Sequence, residues 1–193
     1  MSFPSVFVSH GAPAQFLEPE QPAYRFLRTF GAELATPAAI LVVSLIGNHR
    51  ADTDQRPAPG AIHDFGGFDP ALYAMRYQPP GARELGVRAR ALLEGAGSDS
   101  RLDPKRGIDH GGWVPLMPMY PEADVPVVQL SVQSRLSAAH HHRLGQALRP
   151  LREEGVLILA SGSLTHNLRA AFHWVPGMST GAGQRLQRLR LIR

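Results

Sequence analysis

The sequence predicts an α/β domain with one central mixed sheet flanked by helices, and three observations carry that prediction. Short apolar runs alternate along the chain with segments whose apolar residues recur every three to four positions, the pattern of strands alternating with amphipathic helices. The run Ala39–Ser44, AILVVS, is apolar almost throughout, as a strand covered on both faces must be. With 193 residues, 44% hydrophobic and 19% charged, the chain can bury one sizeable core, and no repeat or linker divides it, so residues 1–193 are expected to form one domain.

Each element follows from local chemistry. Ser5–Val8 reads as a strand running into SHGAP, where Gly11 and Pro13 favour a turn. Residues 23–35 place Phe26, Leu27, Phe30 and Leu34 on one helical face, and Pro37 stops that helix. Residues 47–61, rich in Gly, Asp and Pro, read as a loop; HDFGGF at 63–68 is a turn region before a short helix in PALYAMRY. Residues 82–96 repeat Leu85, Ala89, Leu92 and Leu93 at helical spacing. GIDHGGWVPLMPMYPEAD holds too much Gly and Pro for one long helix. Val127–Val132 reads as a strand, Ala138–Leu148 as a helix packed through Leu136, Leu144 and Leu148, and Val156–Ala160 as a strand ending in SGSLTHN.

Charge and composition exclude several functions. The net charge of +4 and pI near 10.1 suggest a nucleic-acid partner until the charge is located. Residues 1–154 carry 15 Lys/Arg and 16 Asp/Glu, whereas residues 155–193 carry five Arg and no acid. Of Arg185, Arg188, Arg190 and Arg193, only Arg185 and Arg188 would be neighbours on one side of a helix, and no aromatic residues interleave them. No nucleic-acid partner is expected. Absence of cysteine removes disulfides, thiolate metal sites and a cysteine nucleophile. No apolar run approaches the roughly 18 residues of a membrane span and MSFPSVFVSHGAP does not resemble an export signal, so a cytoplasmic protein without a membrane partner is expected.

Nine histidines then hold the unusual chemistry. His10 and His166 follow predicted strand ends, where open α/β sheets build ligand sites, and imidazole there can bind Fe(II) or Zn(II) or move a proton. A hydrogen bond to a loop is the competing role for each. His63 in HDFGG and His110 in DHGGW sit where glycine admits close backbone approach and an acidic neighbour can orient the ring; structural loop closure accounts for them equally well. His140–His142 lie in a helix and read as surface residues, and Trp113 as core more than pocket wall. No phosphate-binding glycine motif is present. A serine-hydrolase site would have to combine Ser161 or Ser163 with His166 and an acid.

Four segments in order, PSVFVSHGAP, IHDFGGFDPALY, GIDHGGWVPLMPMYPEADVPVVQLSV and GVLILASGSLTHNL, resemble the DODA-type extradiol ring-cleavage dioxygenases, relatives of the protocatechuate 4,5-dioxygenase catalytic subunit. The resemblance spans residues 3 to about 174. It implies a cytosolic enzyme that opens small catechols with O2 on non-haem Fe(II), with Zn(II) in some members. By the same resemblance His10 is a metal ligand, His166 is an acid/base residue close to the metal or a ligand to it, and His63 and His110 position ring hydroxyls or oxygen intermediates. The family's S-x-H-W segment would put a ligand at position 46, where this chain has Ile46; His49 takes that place only if the loop is rebuilt. The family also continues beyond residue 193 and supplies a further ligand there, so the domain is expected to be C-terminally shortened and incomplete. An inactive, metal-poor relative with a binding or structural role is therefore the alternative to an enzyme.

The genetic code offers a cause for the departures. Leu45–Arg50 can be encoded by CTC ATT GGG AAC CAC CGC, which read two bases later gives His-Trp-Glu-Pro-Pro. Leu186–Leu189 can be encoded by CTT CAA CGA CTG, which read one base later begins Phe-Asn-Asp, as the family does there. Shifted frames around residues 45–61 and before the terminus are the hypothesis this motivates. Sequencing the coding DNA should show His-Trp in an alternative frame after Ser44; a gene with no family residues in either frame makes Ile46 a genuine divergence.

Overall fold

From the amino end the chain forms β1 (Ser5–Ser9), α1 (Pro22–Glu33), β2 (Ala39–Ser44), β3 (Ala51–Asp54), α2 (Pro70–Ala74), α3 (Arg83–Gly95), β4 (Ser100–Asp103), α4 (His110–Met119), β5 (Val127–Ser131), α5 (Ala138–Leu148) and β6 (Val156–Gly162). The structure is a computed structural model and describes residues 2–44, 51–54 and 60–163. Among them the strands make one sheet of order β1-β6-β2-β5-β3-β4. All neighbours are parallel except β3 against β5, so the sheet is mixed and flanked by helices, as the alternation of elements predicts.

β2 shows why this sheet has two covered faces. Ile40 and Val42 join one core with Leu27 of α1, Trp113, Val114 and Leu116 of α4, and Leu157 and Leu159 of β6. Leu41 points the other way, into a second core with Ala89 and Leu93 of α3, Leu144 and Leu148 of α5, and Val128 and Leu130 of β5. Period-two alternation along each strand divides the apolar residues between the cores. β2, β5 and β6 are therefore apolar on both faces, and polarity is pushed to their ends.

Several helix starts are chemically marked. The Asp69 side chain accepts from Ala71 N at 2.8 Å before α2, Asp109 from Gly112 N at 3.2 Å before α4, and Ser137 from His140 N at 3.2 Å before α5. Pro22 opens α1, where its missing N–H costs nothing.

The structure adds elements that the sequence does not announce and corrects three expectations, those for residues 51–54, Phe26 and Leu136. Residues 51–54, read as loop, form β3, and β4 also went unforeseen; ADTD and SRLD carry little strand signal of their own, and pairing makes them strands. The Gly/Pro-rich segment holds the ten-residue α4 with Pro115 and Pro118 inside it, because burial of Trp113, Val114 and Leu116 and the Asp109 cap outweigh the lost backbone bonds. Phe26 is 59% exposed, since α1 packs through Leu27 and Gly31, and Leu136 is 46% exposed because it precedes the Ser137 cap. Among the described residues no helix is long and apolar enough to cross a membrane.

α1 meets α4 at one backbone contact. A Cβ on Gly31 would lie 2.4 Å from Met119 O and 2.5 Å from Met119 Cα, and backbone cannot move aside as a side chain can. Gly31→Ala should therefore destabilise the fold by about 1–3 kcal/mol, despite alanine's better helix propensity, in a denaturant titration. Unchanged or raised stability would mean that the two helices separate freely.

Candidate active site

The carboxyl ends of β1, β6, β2 and β5 lie side by side, and each carries a buried polar group at or just beyond its end. His10 follows β1 and is 6% exposed. Its Nδ1 lies 3.0 Å from Ser161 Oγ on β6, its carbonyl accepts from Gln15 Nε2 at 2.8 Å, and Gly11, at φ 64, lets the chain turn away immediately after it. Ser161 thus holds the ring from Nδ1, as a partner that orients a ligating histidine does, and Gln15 fixes the backbone that carries it. Ser161 is in register with Ser44 on β2, and Ser44 with Ser131 on β5, so three buried serines cross the sheet in one row.

His110, the first residue of α4, packs edge-on against His10 with ring centroids 5.5 Å apart. Its Nδ1 lies 2.7 Å from Asp64 Oδ1, and its backbone N–H donates to the same oxygen at 3.1 Å. An ionised carboxylate only accepts, so Nδ1 carries the hydrogen and Nε2 is the atom that can exchange a proton. Burial pushes the Asp64 carboxyl up, but the two hydrogen bonds from His110 and its charge outweigh that and hold it below its ordinary value of 3.8.

His63 completes the described cluster. Its ring centroid lies 5.6 Å from that of Trp113, 5.8 Å from Phe65 and 6.3 Å from Tyr73, and Phe65 in turn meets His110 at 5.7 Å. His63 Nε2 is buried with no hydrogen-bond partner among the described residues. Trp113 is fully buried and donates from Nε1 to Ile62 O at 2.9 Å, so it belongs to the core, as the sequence suggests, and also forms this aromatic wall.

The acidic neighbours serve other partners than sequence order implies. Asp64 orients His110 rather than His63, and Asp109 turns inward to Ser44 and Gln129 rather than to His110. Two signals could have revealed this. Asp109 stands where a helix cap belongs, and Gln129 interrupts the apolar strand VVQLS. Ser161 pairs with His10, whereas His166, the base that a hydrolase site would require, lies outside the described residues, as do Ile46 and His49. His140 and His141 make local bonds to Gln133 Oε1 and Ser137 O, and His142 is exposed.

Residues 3–177 match the family described as the catalytic LigB subunit of aromatic ring-opening dioxygenase. The chain belongs to this LigB family. It is 48% identical over 168 residues to the 4,5-DOPA dioxygenase extradiol of Beta vulgaris and 42% identical over 168 residues to that of Escherichia coli K12, alignments covering 83% and 86% of this chain. Each covers 61% of the relative, so the LigB-family chain studied spans about six-tenths of their length. A crystal structure of the uncharacterized protein JW3007 from E. coli K12 superposes with a TM-score of 0.70 at 31% identity, over 97% of this chain and 71% of that one.

Does the described part of this LigB-family site fit a metal? No group of three or more His, Asp or Glu among the described residues could hold one. His10 has the orientation expected of a ligand, but His63 and His110 do not complete a chelating set around it, and the described donors alone do not fit a resident metal.

The lowered Asp64 value has a consequence for stability. A depressed folded-state value means that the Asp64–His110 contact stabilises the protein above the unfolded carboxyl's value and that this contribution is lost as pH falls through the lower folded value. Asp64→Asn should therefore unfold at lower denaturant concentration than the parent near neutrality, with the gap closing as pH drops below about 3.8. A gap unchanged by acid would show that the charge of Asp64 contributes nothing.

Proposed function

We propose that this protein is an extradiol dioxygenase that opens the ring of a small catechol with O2, both oxygen atoms entering the product. The observation that carries the reading is the edge-on pair His10 and His110, at the carboxyl ends of parallel strands in a ring-opening dioxygenase family. In this reading Fe(II), or Zn(II) in its place, would be held by His10 and His49, with His166 either a further ligand or the acid/base residue beside it, and would supply the electrophilic centre that brings diol and oxygen together. The cytoplasm is its compartment, and residues 1–193 belong to one dioxygenase-like domain.

The chain's own residues supply recognition. Phe65 and Tyr73 offer ring faces and edges to a flat aromatic substrate, and the buried Trp113 backs them from the core. His63 Nε2 is a buried polar atom that a ring hydroxyl would satisfy. His110, with Nδ1 held by Asp64, receives or returns a hydroxyl proton through Nε2. The names of the relatives make DOPA the first catechol to try.

One sequence observation favours a second reading. Ile46 stands where the family resemblance puts a metal ligand, which suits a metal-poor relative that retains binding without turnover. Anaerobic reconstitution with Fe(II), metal analysis and oxygen uptake with catechol and DOPA separate the two. The enzyme reading expects stoichiometric iron and a ring-opened product, loss of iron in His10→Ala, and kcat lowered by roughly a hundredfold or more in His110→Ala with iron retained. Folded protein with neither iron nor turnover would establish the second reading.

A further inference from the structure

The most deeply buried acid in the described structure has no part in the chemistry above. Asp109 is 0% exposed. Its Oδ1 accepts from Ser44 Oγ at 3.0 Å and from Gly112 N at 3.2 Å. Its Oδ2 accepts from Gln129 Nε2 and lies 3.4 Å from the guanidinium of Arg106, while its backbone N–H donates to Gln129 Oε1 at 3.0 Å. One carboxylate therefore joins the end of β2, the middle of β5, the Arg106 loop and the first turn of α4. Gly112 makes this possible, since a Cβ there would lie 3.0 Å from Gln129 Oε1 and 2.5 Å from Ile108 Cγ2.

A helix cap needs only one of those bonds. Serine or asparagine would cap α4 about as well as aspartate, so capping does not explain a fully buried charge. The remaining bonds all fix where α4 begins relative to the sheet. The residue after Asp109 is His110, and Ser44 is in register with Ser161, which holds His10. We propose that Asp109 is a positioning residue, a buried anionic clamp that sets His110 against Asp64 and opposite His10. The proposal rests on the ring-cleavage reading only for its kinetic consequence.

The two-point contact with Gln129 gives the clamp a direction that can be reversed. In Asp109→Asn no orientation of the new amide keeps every contact: its NH2 meets the Gln129 NH2 or, flipped, the Gly112 N–H, and a flip of Gln129 instead turns that NH2 onto the backbone N–H of residue 109. In Gln129→Glu two carboxylates meet. With both changes together, the introduced carboxylate on β5 accepts from that N–H and from the introduced amide, whose oxygen keeps the bonds from Ser44 and Gly112, and the cluster keeps a single negative charge. Each single change should raise the unfolding constant at least about a hundredfold, and the double change should restore it to within about tenfold of the parent.

The deciding experiment joins this cycle to the histidine itself. In the parent, the His110 Nδ1–H proton should give a downfield NMR resonance from its bond to Asp64, assigned by its loss in Asp64→Asn. Asp109→Asn should broaden or shift it and lower kcat at least about tenfold with KM changed less, and Asp109→Asn with Gln129→Glu should recover both. Where the single variant does not fold, Asp109→Ser supplies the same readout, because it keeps the cap to Gly112 and the backbone bond to Gln129 Oε1 but deletes the side-chain contacts with Gln129 Nε2 and Arg106. An unmoved His110 resonance in the folded single variant, or a double variant that is not restored, overturns the proposal. A parent that folds but opens no catechol defeats the ring-cleavage reading alone, since the stability cycle and the resonance still decide the role of Asp109.

Discussion

Burial of the central strands on both faces is the constraint on which the rest of the structure depends. Ile40, Leu41 and Val42 are completely shielded from water, and so are Val127, Val128, Leu157 and Leu159 beside them. Within such strands an unpaired polar side chain would cost on the order of 1–3 kcal/mol, so polar groups gather where the strands end or must bring their own partners. Ser44, Ser131 and Ser161 stand at the carboxyl ends. Gln129 is the exception inside a strand, and its amide is fully engaged with Asp109. The same requirement that keeps the core apolar thus concentrates hydrogen-bonding groups at the carboxyl edge of the sheet.

Two chemically identical acids next to two histidines have been given opposite tasks by depth. The Asp64 side chain is 25% exposed, so it keeps part of its hydration while serving as the local partner of the His110 imidazole. Asp109 is completely shielded from solvent, so its hydrogen bonds must come from the protein. Under the proposed chemistry, an acid that orients a reacting histidine benefits from being able to adjust, whereas one that fixes the start of a helix benefits from being held on all sides. The pairing therefore crosses between the two loops, 46 residues apart in the chain, rather than following sequence neighbours.

Much of the fold was legible in the sequence because its strong elements carry their own signals. AILVVS could only be a strand covered twice, and Ala138–Leu148 is read correctly to the residue from period and composition. β3 and β4 were illegible because their four-residue polar sequences become strands only through pairing. At the site, His10, His63 and His110 could be picked out by their turns and their places after strands. Their partners could not, since Ser161 reaches His10 across 151 residues and Gln129 reaches Asp109 across 20, and no local pattern encodes such closures. His49 and His166 lie outside the described residues, so their assignment rests on resemblance.

Trp113 shows how the core and the site constrain each other. Its indole stacks on Phe16 with ring centroids 5.6 Å apart, within the core shared by α1, α4 and the sheet, and it also meets His63 and Phe65. Its Nε1–H holds Ile62 O, the residue before His63. Close-packed interiors transmit small volume changes rather than absorbing them, so a displacement of α4 that the core can tolerate still moves the loop carrying His63 and Asp64. Asp64 in turn grips His110 at the start of α4. The aromatic wall, the loop and the helix therefore form one closed circuit, and the geometry opposite His10 follows from packing as much as from the polar residues that would perform the chemistry.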